Sequence, residues 1–136
     1  MTKKSKWAFT LDKSADGIID FFLKHESGIF NNLVEITVFA ASIGFNEKRF
    51  KETKKKGREA AWSVAPIGEN SDKAILIAYL HTKKDRKILN DRVECWKILT
   101  GYANGGFDVL KEWKDESQTD EWFLKDIRTK MTSEII

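Results

Sequence analysis

Apolar residues are denser in residues 31–45, NNLVEITVFAASIGF, than anywhere else, and Leu33, Ile36, Ala40 and Ile43 recur there at helical spacing. Val34, Thr37, Val38 and Ala41 fill the remaining sides, so the helix needs cover all round. That cover comes either from the centre of its own domain or from a second copy of the chain. Asn31 and Asn32 offer capping oxygens at its start, and Gly44 offers a left-handed stop with Phe45 folding back behind it.

The pattern on either side predicts the other elements. Residues 6–12 alternate, with Trp7, Phe9 and Leu11 on one side and Lys6, Ala8 and Thr10 on the other, which is the period of a half-buried strand. Ser14 then caps a short helix striped by Ile18, Ile19, Phe22 and Leu23 that ends between Glu26 and Gly28. Residues 46–59 lack an apolar period and read as a basic loop, and Ala61, Trp62, Ser63 and Val64 form a short strand halted by Pro66. Asp72 opens a helix through Leu80 that resumes or kinks around Lys83, Lys84, Arg86 and Lys87. Asn90 or Asp91 caps the next, which carries Val93, Trp96, Ile98 and Leu99 and runs to Tyr102. Asn104, Gly105 and Gly106 then predict a sharp turn and a helix hairpin whose second arm bears Phe107, Leu110 and Trp113. A last amphipathic helix covers residues 120–131. The expected fold class is α+β and mostly helical, in one domain: strand-helix-helix over 1–45, basic loop over 46–59, mainly helical from 60 to 136.

A chain of 136 residues buries roughly two-thirds of its unfolded surface without disulfides or metals. The opening MTKKSKW is followed by no apolar run long enough for export or membrane spanning, so a soluble, cytoplasmic protein with no membrane partner is expected. Cys95 is single and reads as a small apolar filler beside Trp96. His25 and His81 are not at metal-ligand spacing and read as surface groups or partners of helix C-termini, so neither metal nor cofactor is expected.

The net charge of +3 is unevenly spread. Lys48, Arg49, Lys51, Lys54, Lys55, Lys56 and Arg58 face only Glu47 and Glu52 in residues 47–58, whereas residues 108–126 are predominantly acidic. Such a field attracts a polyanion at one region and repels it at another, unless the lysines are merely a solvated loop.

No nucleophile elbow, Walker loop, paired helical histidines or cysteine pairs are present, and no catalytic residue is assigned. Gly105 and Gly106 suggest a phosphate cradle, but a cradle follows a strand and here a helix precedes them. Asp72, Asp91 and Glu94 with Lys87 are the acids and base from which a metal-dependent nicking nuclease could be built, although their places at helix starts are also explained by capping and the helix dipole. Trp96, Trp113, Trp122 and Phe123 serve either the core or a surface that docks on a larger nuclease or ATPase.

The strand, helix, helix order resembles the ribbon-helix-helix unit. That resemblance implies a homodimer with paired strands, Lys6, Ala8 and Thr10 turned to the DNA major groove, and Asn31 and Asn32 at a backbone phosphate. Ala8 and Thr10 read bases poorly, so backbone and shape recognition is expected, with the lysine-rich loop supplying the attraction.

FNNLVEITVFAASIGF at 30–45, AAWSVAP at 60–66 and YANGGFDVL at 102–110 together resemble the small accessory proteins of bacterial DNA phosphorothioation (Dnd) systems. The resemblance spans residues 7–113 and leaves the acidic tail outside it. It implies a part in DNA sulfur modification or the linked defence against phage, beside larger catalytic partners, and brings no catalytic motif. The expectation is therefore a non-catalytic DNA-binding or adaptor subunit, with a docking subunit and a nicking nuclease as alternatives.

Overall fold

The computed structural model describes residues 7–24, 33–62 and 69–132. Its longest element is one that the sequence pattern divides in two: helix α4 (Arg92–Glu116) runs unbroken through Asn104, Gly105 and Gly106. The expected hairpin is absent because these glycines admit a neighbour instead of turning the chain. A Cβ at Gly106 would strike the carbonyl oxygen of Ala40 in helix α2 (Leu33–Asn46), and one at Gly105 would strike the carbonyl of Arg49. From the other side, Gly44 of α2 lies against the carbonyl of Tyr102. A helical glycine costs about 1 kcal/mol relative to alanine, which the close α2–α4 crossing offsets.

Gly44 accordingly sits inside α2 and does not stop it. The stop comes at Lys48, which takes the left-handed conformation with φ of 59° while the Arg49 amide donates to the Gly44 carbonyl at 2.8 Å. Residues Ile36 to Gly44 of α2 are all buried, as an all-round apolar helix requires. Its buried hydroxyls are satisfied within the helix, Thr37 Oγ1 donating to the Leu33 carbonyl at 2.8 Å and Ser42 Oγ to the Val38 carbonyl at 3.1 Å. Cover for α2 comes from α4, from helix α3 (Glu69–His81) and from helix α1 (Asp16–Lys24) of the same chain. Asn31, Asn32 and Lys6 lie outside the described residues.

Strand β1 (Trp7–Asp12) pairs antiparallel with β2 (Lys56–Trp62) in a two-stranded sheet, with Trp7 opposite Trp62, Thr10 opposite Glu59 and Asp12 opposite Lys56. The register is irregular between Thr10 and Asp12. β1 thus finds its partner within the chain. β2 starts inside the expected loop because KGREAAW has no alternation of its own and takes its extended form from β1. Short 3-10 turns at Lys13–Ala15 and Arg86–Asn90 lead into α1 and α4, and Asp91 caps α4 by accepting from the Glu94 amide at 3.0 Å.

Helix α5 (Asp120–Thr132) follows a turn at residues 117–119 and brings Phe123, Leu124 and Ile127 into the core. Phe123 meets Phe21 and Phe22 of α1 at 5.8 Å between ring centroids in each case. The result is a mostly helical α+β fold centred on the α2–α4 pair.

Candidate nucleic-acid interface

The lysine-rich segment is positioned by buried polar groups. Asn104, 1% exposed in the middle of α4, accepts the Asp12 amide hydrogen at Oδ1 (2.9 Å) and donates from Nδ2 to the Lys51 carbonyl and to Thr53 Oγ1, both at 2.9 Å. Thr53 Oγ1 in turn donates to the Thr10 carbonyl at 2.8 Å, so the segment is fastened to the end of β1. The Asp12 carboxylate completes the fastening: it accepts from the Lys54 amide at 2.7 Å, the Lys55 amide at 3.2 Å and the Ser14 hydroxyl at 2.6 Å. Burial alone would raise its pKa, but the Ser14 hydroxyl and the Lys54, Lys55 and Ser14 amides outweigh burial and hold the carboxyl well below the ordinary aspartate value.

These contacts sort the basic residues into two groups. Arg49, Lys51 and Arg58 are consumed by the chain's own acids. Arg49 pairs with Glu112 at 2.7 Å, Lys51 with Asp108 at 3.0 Å, and Arg58 with Asp20. The hydrogen bond to Glu112 is the main reason the Arg49 pKa rises above its usual value. The basic and acidic runs, expected to act as separate ends of a dipole, are therefore partly joined at α4. Lys48, Lys54, Lys55 and Lys56 form the other group: all are exposed, and none makes an ion pair among the described residues. Lys54 and Lys55 give their backbone amides to Asp12 while their side chains stay in solvent.

Lys13 belongs with this second group and was not singled out by sequence. Its amide donates to the Lys55 carbonyl at 2.8 Å, which sets its exposed side chain beside the turn. A local signal for this does not exist, because the pairing of residues 12–13 with 54–55 is tertiary. Thr10, expected to face a groove, is half-buried, and its carbonyl accepts from Thr53 Oγ1.

The other candidate groups fall elsewhere. Gly105 and Gly106 are buried against α2 and the Arg49 backbone, so they offer no open cradle for a phosphate. Among the described residues, no three of His, Cys, Asp and Glu are grouped so as to hold a metal ion, and the Asp91 carboxylate is engaged as a helix cap. Cys95 is buried and its thiol donates to the Ile88 carbonyl at 3.2 Å. Of the aromatics, Trp96 and Phe123 are core residues, whereas Trp122 is 53% exposed and lines an open cleft of about 550 Å³ with Trp113, Glu116 and Asp126. No helix among the described residues is long and apolar enough to cross a membrane.

No curated protein and no solved structure matches the chain significantly. A family model described as DNA sulphur modification system-associated protein 4 matches residues 14–134. The match takes in the acidic tail that the motif resemblance left out, in keeping with the place of α5 in the core. With all but the ends covered, the chain belongs to the family of DNA sulphur modification system-associated protein 4, an accessory protein of the Dnd system.

Proposed function

We propose that this protein is a non-catalytic DNA-binding or adaptor subunit acting in DNA sulfur modification and the anti-phage restriction linked to it. The observation that carries the reading is the turn at Lys54, Lys55 and Lys56. Its backbone is pinned by a buried carboxylate while its cationic side chains, with that of Lys13, stand in solvent with no ion-pair partner among the described residues. A lysine loop that was only solvated would need no such anchor. Clustered lysines bind a phosphate backbone through release of condensed counterions, without reading sequence. Lys48 adds to the attraction, whereas Arg49, Lys51 and Arg58 act by shaping the segment. Titration of a short duplex at rising salt, with wild type and with Lys54, Lys55 and Lys56 reversed to Glu, tests the reading.

A second reading, docking on a larger nuclease or ATPase of the system, is favoured by Trp122. Trp122 stands exposed beside Trp113, with Lys125 over the Trp122 ring at 5.0 Å and Lys130 over the Trp113 ring at 4.6 Å, and the Glu116 and Asp126 carboxylates complete a cleft of mixed charge that suits a polar segment of such a partner. An adaptor would use both surfaces, with DNA on the lysine turn and protein at the α4–α5 cleft.

A further inference from the structure

All the non-glycine residues with positive φ among those described are lysines: Lys48 at 59°, Lys83 at 60° and Lys84 at 68°. Lys48 and Lys83 sit at equivalent places, and Lys84 follows Lys83 where Arg49 follows Lys48. α2 ends with the Lys48 amide on the Phe45 carbonyl (3.2 Å) and the Arg49 amide on the Gly44 carbonyl (2.8 Å). α3 ends in the same way, with the Lys83 amide on the Leu80 carbonyl (3.1 Å) and the Lys84 amide on the Tyr79 carbonyl (2.8 Å). Glycine is the residue favoured at such a left-handed position. The helix dipole favours a cation near each C-terminus, but a lysine one position earlier would answer that without a left-handed backbone.

Between these two helix ends stands an exposed aromatic pair. The Phe50 ring stacks on the His81 imidazole, with centroids 5.4 Å apart and planes inclined by 18°. Tyr102 meets both edge-on, at 5.0 Å from Phe50 and 5.4 Å from His81, and its hydroxyl lies 2.7 Å from His81 Nδ1. Burial raises the Tyr102 pKa, so this hydroxyl keeps its proton. Gly101 of α4 lies directly under Phe50, where any Cβ would strike the ring. α4 thus gives up a side chain to seat a phenylalanine that is nonetheless 44% exposed.

We propose that the Phe50–His81 pair is a stacking platform for an unpaired base of a single DNA strand, with Lys48, Lys83 and Lys84 taking the flanking phosphates. Every base has a π face, so such a platform accepts single-stranded DNA with little sequence preference. The inference rests on the DNA reading above and adds to it a preference for exposed bases, carried by Phe50 and His81, with Lys48 common to both readings.

The test is fluorescence titration of an oligothymidylate of about 12 nucleotides carrying one 2-aminopurine, beside a duplex of equal length. Wild type quenches the 2-aminopurine on binding. Phe50→Leu, which keeps apolar cover over Gly101, loses the quenching and weakens single-strand binding roughly tenfold, with duplex affinity unchanged. Lys83→Gln combined with Lys84→Gln leaves the rings in place, so quenching at saturation persists while single-strand affinity falls. Salt-dependent duplex binding by wild type without any quenching, or equal quenching by Phe50→Leu, overturns this inference alone. Absence of binding to either DNA overturns the functional reading with it.

Discussion

Asn104 Oδ1 accepts the amide hydrogen of Asp12 at 2.9 Å, across 92 positions of sequence, and both residues are buried where it does so. Through this contact the centre of α4 holds the end of β1, and the Asp12 carboxylate holds the turn that displays Lys54 and Lys55.

Asn104→Ala removes Asn104's bonds to the Asp12 amide, the Lys51 carbonyl and Thr53, and leaves buried backbone groups unpaired. The expected loss is roughly 2–4 kcal/mol. Urea denaturation followed by circular dichroism reads it. A loss no larger than that of a surface substitution would show that the contact is dispensable.

Gly106→Ala gains helix propensity, worth about 1 kcal/mol, and meets the Ala40 carbonyl. Because that obstacle is backbone, the helices must part, and net destabilisation of about 1–3 kcal/mol is expected. Gly17→Ala, where an added Cβ meets nothing, is the matched control on α1 and should be neutral or stabilising in the same thermal melt.

The pH dependence follows from Asp12, whose carboxyl is held below its ordinary pKa by the Ser14, Lys54 and Lys55 hydrogen bonds despite its burial. The folded form therefore binds protons less readily than the unfolded one. The resulting stability is fully present above the unfolded value of about 4 and is lost progressively as pH falls below it. Asp12→Asn should be less stable than wild type at neutral pH by roughly 2–3 kcal/mol and should flatten the acid limb of the profile. Denaturation midpoints measured from neutral pH down to about pH 3 check both.

Lys83→Gly relieves a left-handed backbone, and a gain of about 1 kcal/mol is expected in chemical denaturation. A variant that is both more stable and weaker in binding single-stranded DNA would show that lysine is kept there for its charge.

How much of this was legible in the sequence depends on whether a signal was local. The β1 alternation, the α1 stripe, the Asp91 cap and the all-round apolar α2 are local, and each element stands close to where its pattern puts it. Gly105 and Gly106 mislead because a turn and a close helix crossing both call for glycine, and only Ala40 on another element decides between them. β2 was half hidden, since KGREAAW becomes a strand by pairing with β1. At the site, composition reveals the run of lysines. It does not reveal which cations are already spent, because Asp20, Asp108 and Glu112 arrive from elements distant in sequence. Nor does any local pattern mark Asn104, a polar residue between an alanine and a glycine, as the group that orders the turn.

The central claim is tested most directly by duplex DNA affinity against salt for wild type and for the Lys54→Glu, Lys55→Glu, Lys56→Glu variant. The account predicts measurable wild-type binding that falls steeply as salt rises, and a folded variant with at least tenfold weaker binding and a shallower slope, each lost phosphate contact removing about 0.9 from the slope. Wild-type protein with no affinity for duplex at low salt, or a variant that binds as tightly and with the same slope, would contradict it.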